Sequence, residues 1–334
     1  MEIRVAVIGA GSWGTTVAHL AACRTPTILW ARDPAIATEV DSAGANTRYL
    51  PGLALSSELR ATASVADAVT GADVVLVGVP SHGVRDTMAS VAAHVAPSAA
   101  IVSLTKGFEQ GTRKRMTEVL AEVLPGRPVG VLTGPNLAKE ILSGHVAASV
   151  VAMSDPASAR VVQEVLSGDN FRVYTNDDVV GCEVGGALKN VIAIASGMAD
   201  GLGAGDNTRA AVITRGLAEL TRLGVAMGGD PMTFAGLAGM GDLVATCISP
   251  QSRNRHVGEQ LGRGRTIDEV VAEMDMVAEG VKAAPVAVEL AREHGVEMPI
   301  AEQVAAVCAG RATAHDAYRE LLARGQRPEV YGLD

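Results

Sequence analysis

Ile3-Arg4-Val5-Ala6-Val7-Ile8-Gly9-Ala10-Gly11-Ser12-Trp13-Gly14-Thr15-Thr16-Val17 is the stretch that decides the fold. A strand-like apolar run from Ile3 to Ile8 passes without a spacer into Gly-x-Gly-x-x-Gly, and then into an apolar pattern of helical spacing through Val17, Leu20 and Ala21. Each glycine has a task in that context. Gly9 permits the tight turn, Gly11 lets backbone approach a diphosphate, and Gly14 lets helix and strand pack closely. The helix N-terminus adds unpaired N–H groups and a partial positive charge, so the stretch reads as a cradle for a dinucleotide. The next strand runs out at Trp30-Ala31-Arg32-Asp33, near the offset where a ribose-reading side chain is expected. An acid there favours NAD and an arginine favours NADP; both stand side by side.

Working outward, residues up to about 175 alternate short β-branched runs with helical patterns, as a doubly wound α/β sheet does. The expected strands are 4–8, 27–30, 74–79, 100–104, 128–132, 147–152 and 171–174, and Ser64 is expected to cap a helix. From about Asp177 the strand signals stop. Apolar residues then recur at helical spacing through Val191–Ile194, Val212–Leu223, Val286–Ala291 and Val304–Val307. The fold class is therefore α/β, with a Rossmann-type domain over residues 1–178 and an all-helical domain over residues 179–334, as the length of 334 residues also suggests.

Composition limits the partners. The chain has 28 Lys and Arg against 37 Asp and Glu, a net charge of -9, which opposes nucleic acid and anionic membranes. An anionic ligand must therefore be held by a local cation cluster. Cys23, Cys182, Cys247 and Cys308 form no close pair, and His82, His145, His256 and His294 are scattered, so no metal site and no disulfide framework is expected. With neither a leader-like start nor an uninterrupted apolar 18-residue run, the reading is a cytoplasmic protein without membrane insertion.

The cations are unevenly distributed. Lysine occurs only at Lys106, Lys114, Lys139, Lys189 and Lys282. Lys189 lies in Gly185-Gly186-Ala187-Leu188-Lys189-Asn190-Val191-Ile192, where a charge interrupts a small, apolar helical surface. A desolvated lysine is suited to move an alcohol proton beside a hydride transfer. Lys106 follows a buried-looking strand at its carboxyl end, where open α/β sheets bind ligands. Gly239-Met240-Gly241-Asp242-Leu243 supplies an acid, and Ser249–His256 gathers hydroxyl, amide and guanidinium donors ahead of a helix, which suits a phosphate.

Taken together, these segments resemble the bacterial NAD(P)-dependent glycerol-3-phosphate dehydrogenases over nearly the whole chain. The resemblance rests on Gly9–Gly14, Asn46–Pro51, Val79–His82, Thr105–Gly107, Gly134–Glu140, Gly185–Ile192, Gly241–Val244 and Gln251–Arg255. It implies a Rossmann domain followed by a helical domain like the C-terminal domain of 6-phosphogluconate dehydrogenase, with the substrate held between them. It implies that Lys189 is the proton acceptor, with Lys106 and Asp242 as the other catalytic residues. Lys106, Gly134, Asn136, Lys189, Asn190, Asp242, Ser252, Arg253 and Asn254 are then expected at glycerol 3-phosphate or dihydroxyacetone phosphate. Besides Gly9, Gly11 and Gly14, the dinucleotide is expected to meet Ser12, Trp13, Arg32, Lys106, Ala138, Arg253, Val277 and Glu279. Asn136 departs from the family's usual Ser or Thr, though an amide can also hydrogen-bond a hydroxyl or phosphate. NAD or NADP serves the family, and Arg32 tilts the expectation toward NADPH. The implied role is supply of glycerol 3-phosphate for phospholipid synthesis, and a homodimer is compatible with it.

Overall fold

The computed structural model describes residues 2–274, 278–325 and 328–329. The opening run forms β1 (Val5–Ile8), and the strands that follow are β2 (Thr27–Trp30), β3 (Leu59–Thr62), β4 (Val74–Val77), β5 (Ala100–Ser103), β6 (Val129–Thr133), β7 (Ala147–Met153) and β8 (Phe171–Asn176). They make one sheet of order β3-β2-β1-β4-β5-β6-β7-β8. Pairing is parallel except between β6 and β7, where Leu132 faces Val151 in antiparallel register. Both faces of the sheet are covered, as near-continuous apolar strands require. Val5, Val7, Val74 and Leu76 enter one core, whereas Ala6, Ile8, Val75 and Val77 enter the other.

The sheet departs from the sequence reading chiefly at β3 and at the end of β4. β3 was not expected, because only Leu59 of Leu59-Arg60-Ala61-Thr62 is buried and no apolar alternation announces it; the pairing rests on main-chain hydrogen bonds at the sheet edge. The strand expected over 74–79 stops at Val77. Gly78 and Val79 close over the turn, and a Cβ on Gly9, whose φ is +116°, would lie 2.8 Å from the Gly78 carbonyl oxygen. Ser64 caps its helix as expected, accepting from the Asp67 N–H.

The chain divides into two compact units, Met1–Thr105 with Lys114–Val179, and Lys106–Arg113 with Val180–Asp334. The cut near residue 178 is thus joined by an excursion of eight residues, 106–113, into the second unit. Phe108, 1% exposed, anchors that excursion in the helical core.

The second unit is built around the helix Val179–Gly201, which is long and apolar enough to cross a membrane but has 89% of its apolar window buried inside the protein. Its neighbour Arg253–Gly262 approaches to backbone contact. A Cβ on Gly197 would fall 2.0 Å from the Arg255 carbonyl oxygen, and one on Gly258 would fall 2.0 Å from that of Ile194. Paired glycines on facing helices thus remove the side chains that would keep Lys189-Asn190 away from Ser252-Arg253-Asn254.

Candidate active site

In the first unit, helix α1 (Ser12–Ala22) begins with Gly11 at its N-cap in extended conformation and no side chain caps it. A Cβ on Gly14 would fall 2.0 Å from the Gly9 carbonyl oxygen, whereas one on Gly11 would meet nothing within 4 Å. The turn is therefore packed tight beneath and open above, with uncapped N–H groups at the helix end. This fits an anionic diphosphate. Trp13 packs edge-on against Phe171, at 6.3 Å between centroids, and its indole N–H is buried without a partner.

The same unit carries the segment after β6. Gly134, at φ +136°, lies against Ser149, and the Ser149 hydroxyl donates to the Thr133 carbonyl at 2.7 Å. Asn136 Nδ2 donates to Ser149 Oγ at 3.2 Å, and its Oδ1 is buried without a partner. The amide at this position thus spends one of its two N–H donors on the protein and keeps an acceptor in hand. Ala138 starts the short helix Ala138–Leu142, and Arg32 is exposed at the end of β2.

The second unit holds a buried cluster of charged groups. Lys189 sits mid-helix and is 6% exposed; its Nζ donates to Asp242 Oδ1 at 2.6 Å and to Thr246 Oγ1 at 2.6 Å. Lys106 Nζ donates to the other carboxylate oxygen, Asp242 Oδ2, also at 2.6 Å. One carboxylate that is 1% exposed thus serves two ammonium groups and leaves one positive charge in excess. Burial pushes the Lys106 ammonium down from 10.5 to about 8; Asp242 opposes that shift, and Lys189 adds to it. Thr246 lies one turn beyond Asp242 on the helix Asp242–Ile248 and returns its own proton to the Asp242 carbonyl at 2.7 Å. Thr246 was not expected at the site, although its offset of four residues from Asp242 on a helix was a usable signal.

A second set of hydrogen bonds runs alongside. Asn190 Nδ2 donates to the Lys106 carbonyl at 3.3 Å, Asn254 Nδ2 donates to Asn190 Oδ1 at 2.9 Å, and the Gly280 N–H donates to Asn254 Oδ1 at 2.9 Å. Gly280 admits no side chain, since a Cβ would lie 2.5 Å from the Asn190 carbonyl oxygen. Ser252 caps the helix Arg253–Gly262, accepting from the Arg255 N–H at 3.2 Å. Arg253 is exposed in its first turn and interacts electrostatically with Glu279. Within the second unit the fold thus gathers Lys106, Lys189, Asn190, Asp242, Ser252, Arg253, Asn254 and Glu279. Gly9, Gly11, Ser12, Trp13, Gly14, Arg32, Gly134, Asn136 and Ala138 lie in the first unit, and Val277 lies outside the described residues. Among the described residues no group of three or more His, Cys, Asp or Glu could hold a metal ion.

Comparison with known proteins bears on both units. Residues 4–159 match the family model described as NAD-dependent glycerol-3-phosphate dehydrogenase N-terminus, and residues 178–319 match the model of its C-terminus. Over 322 residues, 96% of this chain and 97% of the relative, the chain is 56% identical to glycerol-3-phosphate dehydrogenase [NAD(P)+] 2 of Sphingopyxis alaskensis. A Mycobacterium avium glycerol-3-phosphate dehydrogenase [NAD(P)+] is 53% identical over 99% of this chain and 97% of its own. The crystal structure of glycerol-3-phosphate dehydrogenase from Coxiella burnetii superposes with a TM-score of 0.92 at 36% identity, covering 97% of this chain and 99% of that one.

Proposed function

Starting from the fact that this chain belongs to the NAD-dependent glycerol-3-phosphate dehydrogenase family, we propose how its own residues carry out the family's reaction. The chain is an NAD(P)-dependent oxidoreductase that interconverts glycerol 3-phosphate and dihydroxyacetone phosphate. The single observation that carries the proposed mechanism is the buried Lys189–Asp242–Lys106 cluster.

The dinucleotide, when bound, supplies the hydride acceptor or donor at nicotinamide C4. Gly9, Gly11 and Gly14 shape the turn that would take its diphosphate, with Ser12 and Trp13 at the open end of α1. Arg32, Ala138, Arg253, Val277 and Glu279 belong to the same proposal as its further contacts.

Lys189 is the acid and base. A lysine ammonium has three donors, and Asp242 with Thr246 takes two, which leaves one for the C2 oxygen of the substrate. In oxidation Nζ removes the C2 hydroxyl proton; in reduction it returns that proton to the developing alkoxide. Asp242 holds the ammonium in place, and Thr246 fixes its direction. Lys106 supplies the surplus positive charge that favours an alkoxide and an anionic substrate. Ser252, Arg253 and Asn254 hold the phosphate at the start of their helix, and Asn190 keeps Asn254 and the Lys106 carbonyl in register. Gly134 and Asn136 belong to the same proposal as substrate contacts of the first unit, where the unpartnered Asn136 Oδ1 is an acceptor for a hydroxyl.

The direction we propose is reduction of the ketone, which supplies glycerol 3-phosphate for glycerophospholipid synthesis. A cytoplasmic setting, supported by four unpaired cysteines, belongs to the same reading. So does a homodimer, for which Met232, Met240, Val244 and Ile248 offer exposed apolar side chains on the second unit. The test is loss of nicotinamide absorbance when the protein is mixed with dihydroxyacetone phosphate and either reduced cofactor. Oxidation that depends on the ketone is expected. A protein that binds dinucleotide yet oxidises neither cofactor would overturn the assignment.

A further inference from the structure

The segment Asn46-Thr47-Arg48-Tyr49-Leu50-Pro51 has no task in the mechanism above, yet it is tied firmly to the first unit. Asn46, fully buried, donates through Nδ2 to the Ala10 carbonyl at 3.0 Å and to Thr15 Oγ1 at 2.9 Å, so it grips both arms of the Gly-rich turn. The Thr47 N–H donates to the Glu39 carboxylate, at 3.2 and 3.3 Å, on helix α2 (Pro34–Ala43). These anchors hold Arg48 beside the end of β2. Its guanidinium stands 5.5 Å from the Tyr49 ring centroid, and its Nη1 lies 3.6 Å from Asp33 Oδ2.

Asp33 is the acid that could have read a ribose 2′-hydroxyl, and here it is otherwise engaged. It is the N-cap of α2, where Oδ1 accepts the Ala35 N–H at 3.0 Å and Pro34 fixes the first helical position. Its other oxygen faces Arg48. Arg32, exposed on the preceding residue, forms no ion pair among the described residues. At the end of β2, Asp33 is thus occupied by the Ala35 N–H and Arg48 and the Glu39 carboxylate by the Thr47 N–H, while the Arg32 and Arg48 guanidinium groups stand exposed.

We propose that Arg32 and Arg48 together form the site for the 2′-phosphate of the adenosine ribose, which makes the phosphorylated dinucleotide the preferred cofactor and Arg48 a specificity-determining residue. Guanidinium groups suit a phosphate by planar, charge-assisted donation, and the Arg48 contact with the Tyr49 ring is one of charge with the ring face, which spends none of its N–H groups. The inference rests on the dinucleotide-dependent reading above, and its test is independent of turnover.

Calorimetric titration of the whole protein with adenosine 2′,5′-bisphosphate and with AMP reads the 2′-phosphate alone. The bisphosphate is expected to bind about tenfold or more tighter than AMP, with the advantage shrinking as salt rises. Arg48→Ala is expected to erase most of that advantage and leave AMP binding unchanged. Asp33→Ser, which keeps an N-cap and removes the charge, is expected to keep or enlarge it. Equal binding of the two ligands by the native protein overturns the proposal. So does an Arg48→Ala variant that weakens both alike, or an Asp33→Ser variant that selectively weakens AMP. Turnover of dihydroxyacetone phosphate with NADH but not NADPH would sink this inference and leave the reaction standing. Preference for the bisphosphate without any turnover would do the reverse.

Discussion

Lys189 and Asp242 meet at 2.6 Å, Nζ to Oδ1, inside a helical core where both side chains are almost entirely shielded from water. Such a pair is costly to bury and becomes strongly unfavourable when one partner is removed. Asp242 also holds Lys106, so it is the hinge of the cluster. Lys189→Met, which keeps the stem and removes the proton carrier, is expected to cut kcat by roughly 10² to 10⁴ while dinucleotide affinity changes less than about twofold. Steady-state turnover and a fluorescence titration of reduced cofactor read the two quantities separately. Asp242→Asn is expected to cost stability as well, because two ammonium groups then face one another without a counter-charge. Near-native turnover in Lys189→Met would remove it from the chemistry.

Lys106 sets an alkaline limit. Its folded pKa is lowered from 10.5 to about 8, so above pH 8 the folded protein loses a cation that the unfolded chain keeps until about 10.5. The unfolded state binds more protons across that window, and this group alone makes stability rise with pH there. On the proposed mechanism substrate binding goes the other way, because the lost charge is the surplus one that favours an anionic substrate. KM for dihydroxyacetone phosphate is expected to rise about tenfold between pH 7.5 and 9.5. In Lys106→Arg, which stays charged, that rise should be absent. The same alkaline rise in the arginine variant would move the titration to another group.

Most of this arrangement was legible in the sequence because its signals are local. Gly9, Gly11 and Gly14 stand between a strand and a helix, and Lys189 interrupts an apolar helical surface. What stayed hidden depends on partners distant in sequence. β3 exists because β2 offers an edge, and Leu59 alone cannot announce it. The excursion of residues 106–113 is fixed by Phe108 packing among side chains such as Val184. The occupation of Asp33 by the Ala35 N–H and Arg48 turns an apparent tie between acid and arginine into an asymmetry, but the Arg48 contact spans fifteen residues and needs Asn46 to hold it.

Glu219 makes stability depend on acidity away from the chemistry. It is 2% exposed and accepts from the Ile300 N–H at 2.8 Å and the Ala301 N–H at 3.2 Å, capping the helix Pro299–Cys308, which has no cap of its own. Burial raises its carboxyl from 4.5 to about 7, against the pull of those two N–H groups and Arg222. The folded protein keeps the proton between those values while the unfolded chain gives it up, so stability falls as pH rises from 4.5 to 7. The ionised cap costs on the order of 3 kcal/mol above that window. Glu219→Gln forfeits one acceptor, worth about 1 kcal/mol, and removes the charge. Its melting temperature is expected to lie below native at pH 5 and to approach or pass it at pH 8. Parallel curves for the two proteins would mean that Glu219 is ionised throughout.

The Gly-rich turn separates folding from binding at two positions only three residues apart. A methyl on Gly14 would sit 2.0 Å from the Gly9 carbonyl oxygen, a clash with backbone that no rotamer relieves. A methyl on Gly11 would meet nothing of the protein within 4 Å, and if the diphosphate binds over the turn as proposed it would project into the ligand's space. Gly14→Ala is therefore expected to lower the melting temperature markedly, by overpacking worth about 1 to 3 kcal/mol or more. Gly11→Ala should melt within a degree or two of native while its dinucleotide affinity drops at least tenfold. Thermal melts with and without saturating cofactor discriminate the two: the shift produced by cofactor should vanish in Gly11→Ala. If Gly11→Ala keeps the full cofactor shift, the diphosphate does not lie over this turn, and the donors at the start of α1 must serve some other anion.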